Sequence, residues 1–243
     1  LLRCLALVLV ILVLARPQTT NKWQNSEIEG IDIMLAIDVS TSMLAEDLKP
    51  NRLEAAKDVA AEFINGRPND NIGITLFAGE TFTQCPLTVD HAVLLDMIHN
   101  IKCGLITDGT AVGMGIANAV TRLKDSKAKS KVIILLTDGT NNKGDISPMT
   151  AAEIAKSFGI RVYTIGVGTN GMAPYPYPVG NTVQYVSMPV EIDEKTLTEI
   201  AGTTDGNYFR ATSNSKLKEV YEEIDKLEKT KLNVKEYSKR DEE

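Results

Sequence analysis

The 243 residues are 43% hydrophobic and 24% charged, enough apolar material for a full core, which excludes both a disordered tail and a miniature scaffold. A formal net charge of −6 leaves no surplus of lysine and arginine for phosphates, and no basic stripe is interleaved with aromatics, so nucleic acid is excluded as an expected partner. Cys4, Cys85 and Cys103 are too scattered for a disulfide framework or a CxxC zinc pair and read as separate thiols, while His91 and His99 poorly supply a histidine triad or zinc site.

In chain order, residues 1–16 hold a continuous apolar run, Cys4 to Ala15, closed by Arg16-Pro17. It is shorter than the roughly 20 residues that span a bilayer, and is read as part of a transmembrane helix. A signal-peptide h-region is the main alternative, and a buried core helix ranks lowest. Residues 17–29 form a polar tether, and a globular domain is expected over residues 30–228.

Within that domain, Ile31 to Asp38, Ile72 to Ala78, Lys131 to Thr137 and Arg161 to Val167 are short branched-apolar runs ending in turn residues, as strands buried on both faces require. Helical patterns lie between them at Arg52 to Ile64, His91 to Ile101, Val112 to Leu123 and Met149 to Phe158, the last introduced by Ser147-Pro148. Phe82 to Thr88 follows the second strand too closely for a crossover and is read as an antiparallel edge strand. Thr169 to Pro189, rich in proline and glycine, is expected as a surface loop with a small hairpin. A helix at Asp193 to Ala201 and a last strand at Asn207 to Ala211 follow, then an amphipathic helix from Lys216 to Glu228. Residues 229–243 are a charged C-terminal extension. Alternating strands and helices give an α/β fold, a doubly wound, mainly parallel sheet with helices on both faces. In such sheets ligands sit beyond the carboxyl ends of the strands, where strand order reverses.

At that edge the first strand ends in Asp38-Val39-Ser40-Thr41-Ser42, a DxSxS pattern. In an extended turn residues i, i+2 and i+4 face one way, which converges a carboxylate and two hydroxyls. Thr137-Asp138-Gly139 brings a second carboxylate, and Gly109-Thr110-Ala111 a third hydroxyl ahead of a helix. Asp38, Ser40, Ser42, Thr110 and Asp138 offer only oxygens, the ligand set of a hard cation, Mg²⁺ or Mn²⁺ rather than zinc. If the hydroxyls bind directly and one carboxylate acts through water, the ion keeps an open position that a partner's carboxylate would fill. The bland alternative is that Asp38 and the serines cap a helix. Asp47, Asp108 and Thr137 lie near enough in sequence to orient the ligands.

These five positions, in three separated segments in the expected order, resemble the metal-ion-dependent adhesion site of von Willebrand factor A (VWA) domains, over about residues 30 to 228. The surrounding DVSTSMLAEDLKPNRLEAAK, LFAGETFTQCPLT, PYPYP and AGTTDGNYFRA segments are similar to bacterial BatA-like aerotolerance proteins. That resemblance implies a Rossmann-like VWA domain held at the inner membrane and facing the periplasm. It also implies work with other Bat proteins and MoxR-type AAA+ ATPases.

The rival reading is a Mg²⁺-dependent hydrolase or phosphotransferase. It is disfavoured because a haloacid dehalogenase-like enzyme wants DxD where Asp38-Val39-Ser40 stands, and Ser40 has no nearby histidine base in the sequence. Gly166, Gly168 and Gly171 form a GxGxxG, but the run continues into Met172-Ala173-Pro174-Tyr175-Pro176 instead of a helix, so a dinucleotide site is not expected.

Overall fold

The structure is a computed structural model that describes residues 30–139, 141–179 and 182–240. The apolar runs become the strands their composition demands. In order along the chain come β1 (Asp32–Asp38), a short 3-10 turn (Thr41–Leu44), α1 (Arg52–Asn65), β2 (Asn71–Phe77), β3 (Thr81–Thr88) and α2 (His91–His99). There follow α3 (Val112–Leu123), β4 (Lys131–Thr137), α4 (Pro148–Ser157), β5 (Arg161–Val167), β6 (Gly171–Val179), β7 (Thr182–Val190), α5 (Glu194–Thr203), β8 (Tyr208–Ala211) and α6 (Asn214–Arg240).

Six strands form one sheet in the order β3-β2-β1-β4-β5-β8. All neighbours are parallel except β2 and β3, whose pairing makes β3 the expected antiparallel edge. Side chains alternate across each strand, so β1 feeds two cores. Ile33, Leu35 and Ile37 join Ala56 and Ile64 of α1, Leu94 and Ile98 of α2, and Leu217 and Ile224 of α6. Met34 and Ala36 point the other way, to Ile116 and Val120 of α3, Ala151 and Ala155 of α4, and Ile200 of α5. Covered faces on both sides explain why these strands read as unbroken apolar runs.

Local chemistry fixes the helix starts. Asn51 accepts from the Glu54 N–H to cap α1, and Ser147 accepts from the Thr150 N–H to cap α4, with Pro148 in the first turn where its missing N–H costs nothing.

The proline-rich stretch departs from expectation. It is a hairpin over nearly its whole length, with β6 and β7 in antiparallel register from Gly171↔Val190 to Val179↔Thr182. Pro174, Pro176 and Pro178 recur at every second residue, so their missing N–H groups all fall on one edge, away from β7. The Pro174 carbonyl on that edge accepts from the Glu46 N–H at 2.8 Å. Composition argued for a loop; the period of the prolines permits a strand.

α6 also runs further than the amphipathic pattern suggested, unbroken to Arg240. Its anchor is Glu228, buried under the sheet. The carboxylate accepts from the Tyr163 hydroxyl at 2.6 Å, from Arg161 Nε at 2.8 Å and from the Ser130 hydroxyl at 2.8 Å. Burial opposes its charge, but these donors, Arg161 foremost, hold its pKa below the usual carboxylate value. Among the described residues no helix is long and apolar enough to cross a membrane. The membrane segment expected in residues 1–16 and the tether in 17–29 lie outside the described residues.

Candidate metal centre

β1 has β2 on one side and β4 on the other, so the strand order reverses between β1 and β4. Asp38 closes β1 and Asp138 follows β4, which puts both carboxylates at the crevice such reversals leave. The DxSxS segment converges by a different route from the extended turn that spacing suggested. Ser40 is extended, and the chain then enters the 3-10 turn from Thr41 to Leu44 that brings Ser42 round.

The result is a chain of oxygens. The Asp38 carboxylate accepts from the Ser40 N–H at 2.9 Å and from the Thr137 hydroxyl at 2.6 Å. The Ser40 and Ser42 hydroxyls are 3.0 Å apart, and Ser42 donates to Asp138 Oδ1 at 2.7 Å. Thr110 reaches the same edge without a hydrogen bond to the other four among the described residues. Its N–H donates to the Asn142 side chain at 2.9 Å, and its hydroxyl lies 3.3 Å from where a β-carbon on Gly139 would fall. Asp38, Ser40, Ser42 and Asp138 are thus linked through hydrogen bonds, and Thr110 stands beside Gly139, the neighbour of Asp138.

Of the expected supporting residues, Thr137 bonds a named ligand residue and Asp108 bonds Thr41 between two of them. Thr137 holds the second oxygen of Asp38, and Asp108 accepts from both the N–H and hydroxyl of Thr41, at 3.0 and 2.9 Å. Asp47 acts through a residue the sequence reading missed, Arg52. This guanidinium is fully buried; Nη1 donates to Asp138 Oδ2 at 2.7 Å, while Nε and Nη2 grip Asp47 at 2.7 and 2.6 Å. Asp47 also accepts from the Thr169 N–H at 2.7 Å, tying the root of the β6–β7 hairpin to the site. The sequence signal for Arg52 is slight, an arginine in the first turn of a helix where a cation opposes the dipole and needs an acidic partner.

Electrostatics follow from burial. Asp38 is pushed up to about 7 by its removal from water and then by the nearby charge of Asp138, against the hydrogen bonds from Ser40 and Thr137. Burial raises Asp138 as well, with Arg52 and Ser42 opposing. Asp47 is also desolvated, but Arg52 and Thr169 outweigh that and lower it to about 2. Arg52 pairs with Asp47 and Asp138 and leaves Asp38 without a cationic partner, an excess of acid that a divalent cation would neutralise. Among the described residues no group of three or more His, Cys, Asp and Glu side chains is placed to hold a metal, so a site here depends on hydroxyl oxygens. Cys103, a free half-buried thiol, donates to the Ser40 carbonyl at 3.4 Å, and burial drives its pKa up to about 12, which makes it an inert neighbour.

The von Willebrand factor type A domain model matches residues 32–223. BatB from Bacteroides thetaiotaomicron is 35% identical, with a TM-score of 0.73 over 82% of this chain and 100% of that one. An aerotolerance-related membrane protein from Bacteroides fragilis is 34% identical, with a TM-score of 0.70 over 81% of this chain and 100% of that one. A UPF0353 protein of Mycolicibacterium paratuberculosis is 30% identical over 91% of this chain and 67% of its own length. Proximal thread matrix protein 1 of the mussel byssus, solved with zinc in its metal-ion-dependent adhesion site motif, is 25% identical, with a TM-score of 0.64 over 82% of this chain and 45% of that one. A family match across most of the chain, on a fold and a cluster of oxygens of this kind, means that the chain belongs to the von Willebrand factor type A domain family.

Proposed function

We propose that the domain is a protein-binding module rather than an enzyme, and that Asp38, Ser40, Ser42, Thr110 and Asp138 hold Mg²⁺, with Mn²⁺ as an alternative. When bound, the ion would supply a Lewis-acidic point for a carboxylate of a partner protein. The observation that carries this reading is the joining of Asp38, Ser40, Ser42 and Asp138 through one chain of hydrogen bonds at the carboxyl end of the sheet, an all-oxygen set that suits a hard cation. Thr137 and Arg52 hold the outer oxygens of Asp38 and Asp138, the role outer partners play around a metal.

Support for binding over catalysis comes from what surrounds Ser40. Its hydroxyl meets Ser42, while the His91 ring bonds the Asp70 carbonyl near the start of β2, at the far end of the sheet. A serine nucleophile needs a base within hydrogen-bond reach. The hairpin beside the site is suited to protein contact, with Tyr177, Val186 and Met188 exposed.

In the same reading, residues 30–228 are the binding domain, 1–16 a membrane-embedded segment, 17–29 a tether and 229–243 a charged extension. The domain then works at the bacterial inner membrane, on the periplasmic side, with other Bat-type proteins and a MoxR-type ATPase. The names of the Bacteroides relatives support the Bat and membrane parts. The ATPase and the periplasmic orientation rest on the resemblance of the sequence alone.

Calorimetric titration of Mg²⁺ and Mn²⁺ into the wild-type protein and Asp38→Ala tests the site. Saturable binding that disappears in the variant is expected. Mg²⁺ binding of equal strength in both would remove Asp38 from the site, and a partner that stays bound in EDTA would remove the metal from recognition.

A further inference from the structure

The β6–β7 hairpin is a two-stranded sheet of its own, and its two edges differ. On β6 the outward positions after Met172 are Pro174, Pro176 and Pro178, which offer no N–H, and the Pro174 carbonyl is taken by the Glu46 N–H. That edge is closed to further strands.

On β7 the alternation that pairs Ser187 with Pro174 and Tyr185 with Pro176 turns the N–H and C=O groups of Val183, Tyr185 and Ser187 away from β6. Among the described residues none of these groups has a backbone partner. Among protein partners, another extended backbone matches such an alternating row of donors and acceptors. Val183 is 58% and Tyr185 63% exposed, and no charged residue occurs from Gly171 to Val190. Natural edge strands that stay single are guarded by charge, proline or a bulge; β7 carries proline only at Pro189, near its end.

The geometry points to a second copy of this chain as the occupant, paired antiparallel along β7 about a two-fold axis at Tyr185. In that register Tyr185 faces its own copy, and Val183 faces Ser187 of the other chain in both directions. Any residue on a two-fold axis meets itself, so a charge there would repel its copy. β7 itself carries no charge, and the Glu46 carboxylate beside it is engaged by the Tyr185 side chain. The proline edge of β6 supplies the other condition. With one open and one closed edge the pairing stops at a four-stranded sheet of two chains, where two open edges would propagate a fibre. The inference is independent of the metal, since it uses none of the five oxygen donors.

Sedimentation of the full chain in detergent, followed over a range of roughly 1–500 µM because an edge contact belongs to the small, transient class of interface, tests it. A monomer–dimer equilibrium is expected. Ser187→Pro removes one outward N–H while leaving the β6 pairing intact, as Pro174 opposite already does, and weakens dimerisation at least about tenfold. Tyr185→Lys and Tyr185→Glu should each be monomeric, and their equimolar mixture should dimerise again. Monomer at every concentration, or a dimer indifferent to Ser187→Pro and to the Tyr185 charges, overturns the proposal. Retention of dimer in EDTA is expected, and loss of Mg²⁺ binding by Asp38→Ala would leave the dimer unchanged.

Discussion

Asp38 is an acid that the metal-free fold buries without a cationic partner. Its folded carboxyl keeps a proton up to about pH 7, whereas the ordinary value is 3.8. Between those values the folded state binds more protons than the unfolded chain, so stability falls as pH rises from about 4 to about 7. Above that range the buried charge persists unless a cation or Asp38→Asn removes it. Urea unfolding in EDTA at pH 8 should therefore find Asp38→Asn more stable than wild type by about 1–3 kcal/mol, less than the full shift because Asn loses an acceptor for Ser40 or Thr137. Saturating Mg²⁺ should reverse the order by stabilising only the wild type. A wild-type stability in EDTA that is flat from pH 5 to pH 8 would show that Asp38 ionises without cost. Arg52 sets the two acids apart: Asp138 has a buried cation at 2.7 Å, and Asp38 has only neutral donors.

At the scale of elements, the connection from β5 into the hairpin packs directly on the metal-centre residue Arg52. Gly168 has φ +118°, and a β-carbon there would lie 2.5 Å from the Arg52 guanidinium carbon. Gly168→Ala should cost about 2–4 kcal/mol from backbone strain and displacement of Arg52, and chemical denaturation would measure it. A neutral result would mean that the 168–170 turn can move without disturbing Arg52. The core strands and helices were legible in the sequence because their apolar period is set by burial, which composition records. The hairpin was half legible: its turn residues were visible, but the strand-compatible period of Pro174, Pro176 and Pro178 matters only once β7 lies alongside. The 3-10 turn at Thr41 was hidden because DxSxS spacing fits an extended chain equally well. Arg52 was missed for a related reason, since its two carboxylate partners are 5 and 86 residues away and neither distance is a motif.

For the whole molecule, the sheet has a cluster of acid and hydroxyl oxygens at its carboxyl end and a satisfied ionic knot, Glu228 with Arg161, Tyr163 and Ser130, at the other. The knot fastens α6, whose Leu217, Val220 and Ile224 complete the core on one face. Glu228→Gln preserves volume but leaves the Arg161 charge unpaired, and should cost about 1–3 kcal/mol at pH 7. Because the Glu228 pKa is held below its ordinary 4.5, this stabilisation is present above that pH and is lost as pH falls through the lower folded value, so the gap between wild type and variant should close in acid. A gap of the same size at pH 3 and pH 7 would assign the cost to packing. The doubly wound class was legible from alternation of strand and helix alone, while the length of α6 was not, because beyond Glu228 the scattered Leu232, Val234 and Tyr237 break the spacing of three and four on a strongly charged background.

The pairing of β1 with β4 has a kinetic side. Asp38 and its partner Thr137 are 99 residues apart, and Ser42 and Asp138 are 96 apart. No single loop of the chain holds enough of these oxygens to bind an ion, unlike a contiguous calcium loop, so a cation cannot template the nascent polypeptide. It can act only once long-range closure has placed the two strands side by side, a step that local contacts precede. Mg²⁺ should then slow unfolding in proportion to its occupancy while leaving the refolding rate unchanged. The protein would be made in a binding-incompetent form and locked afterwards, its lifetime and not its birth set by the ion.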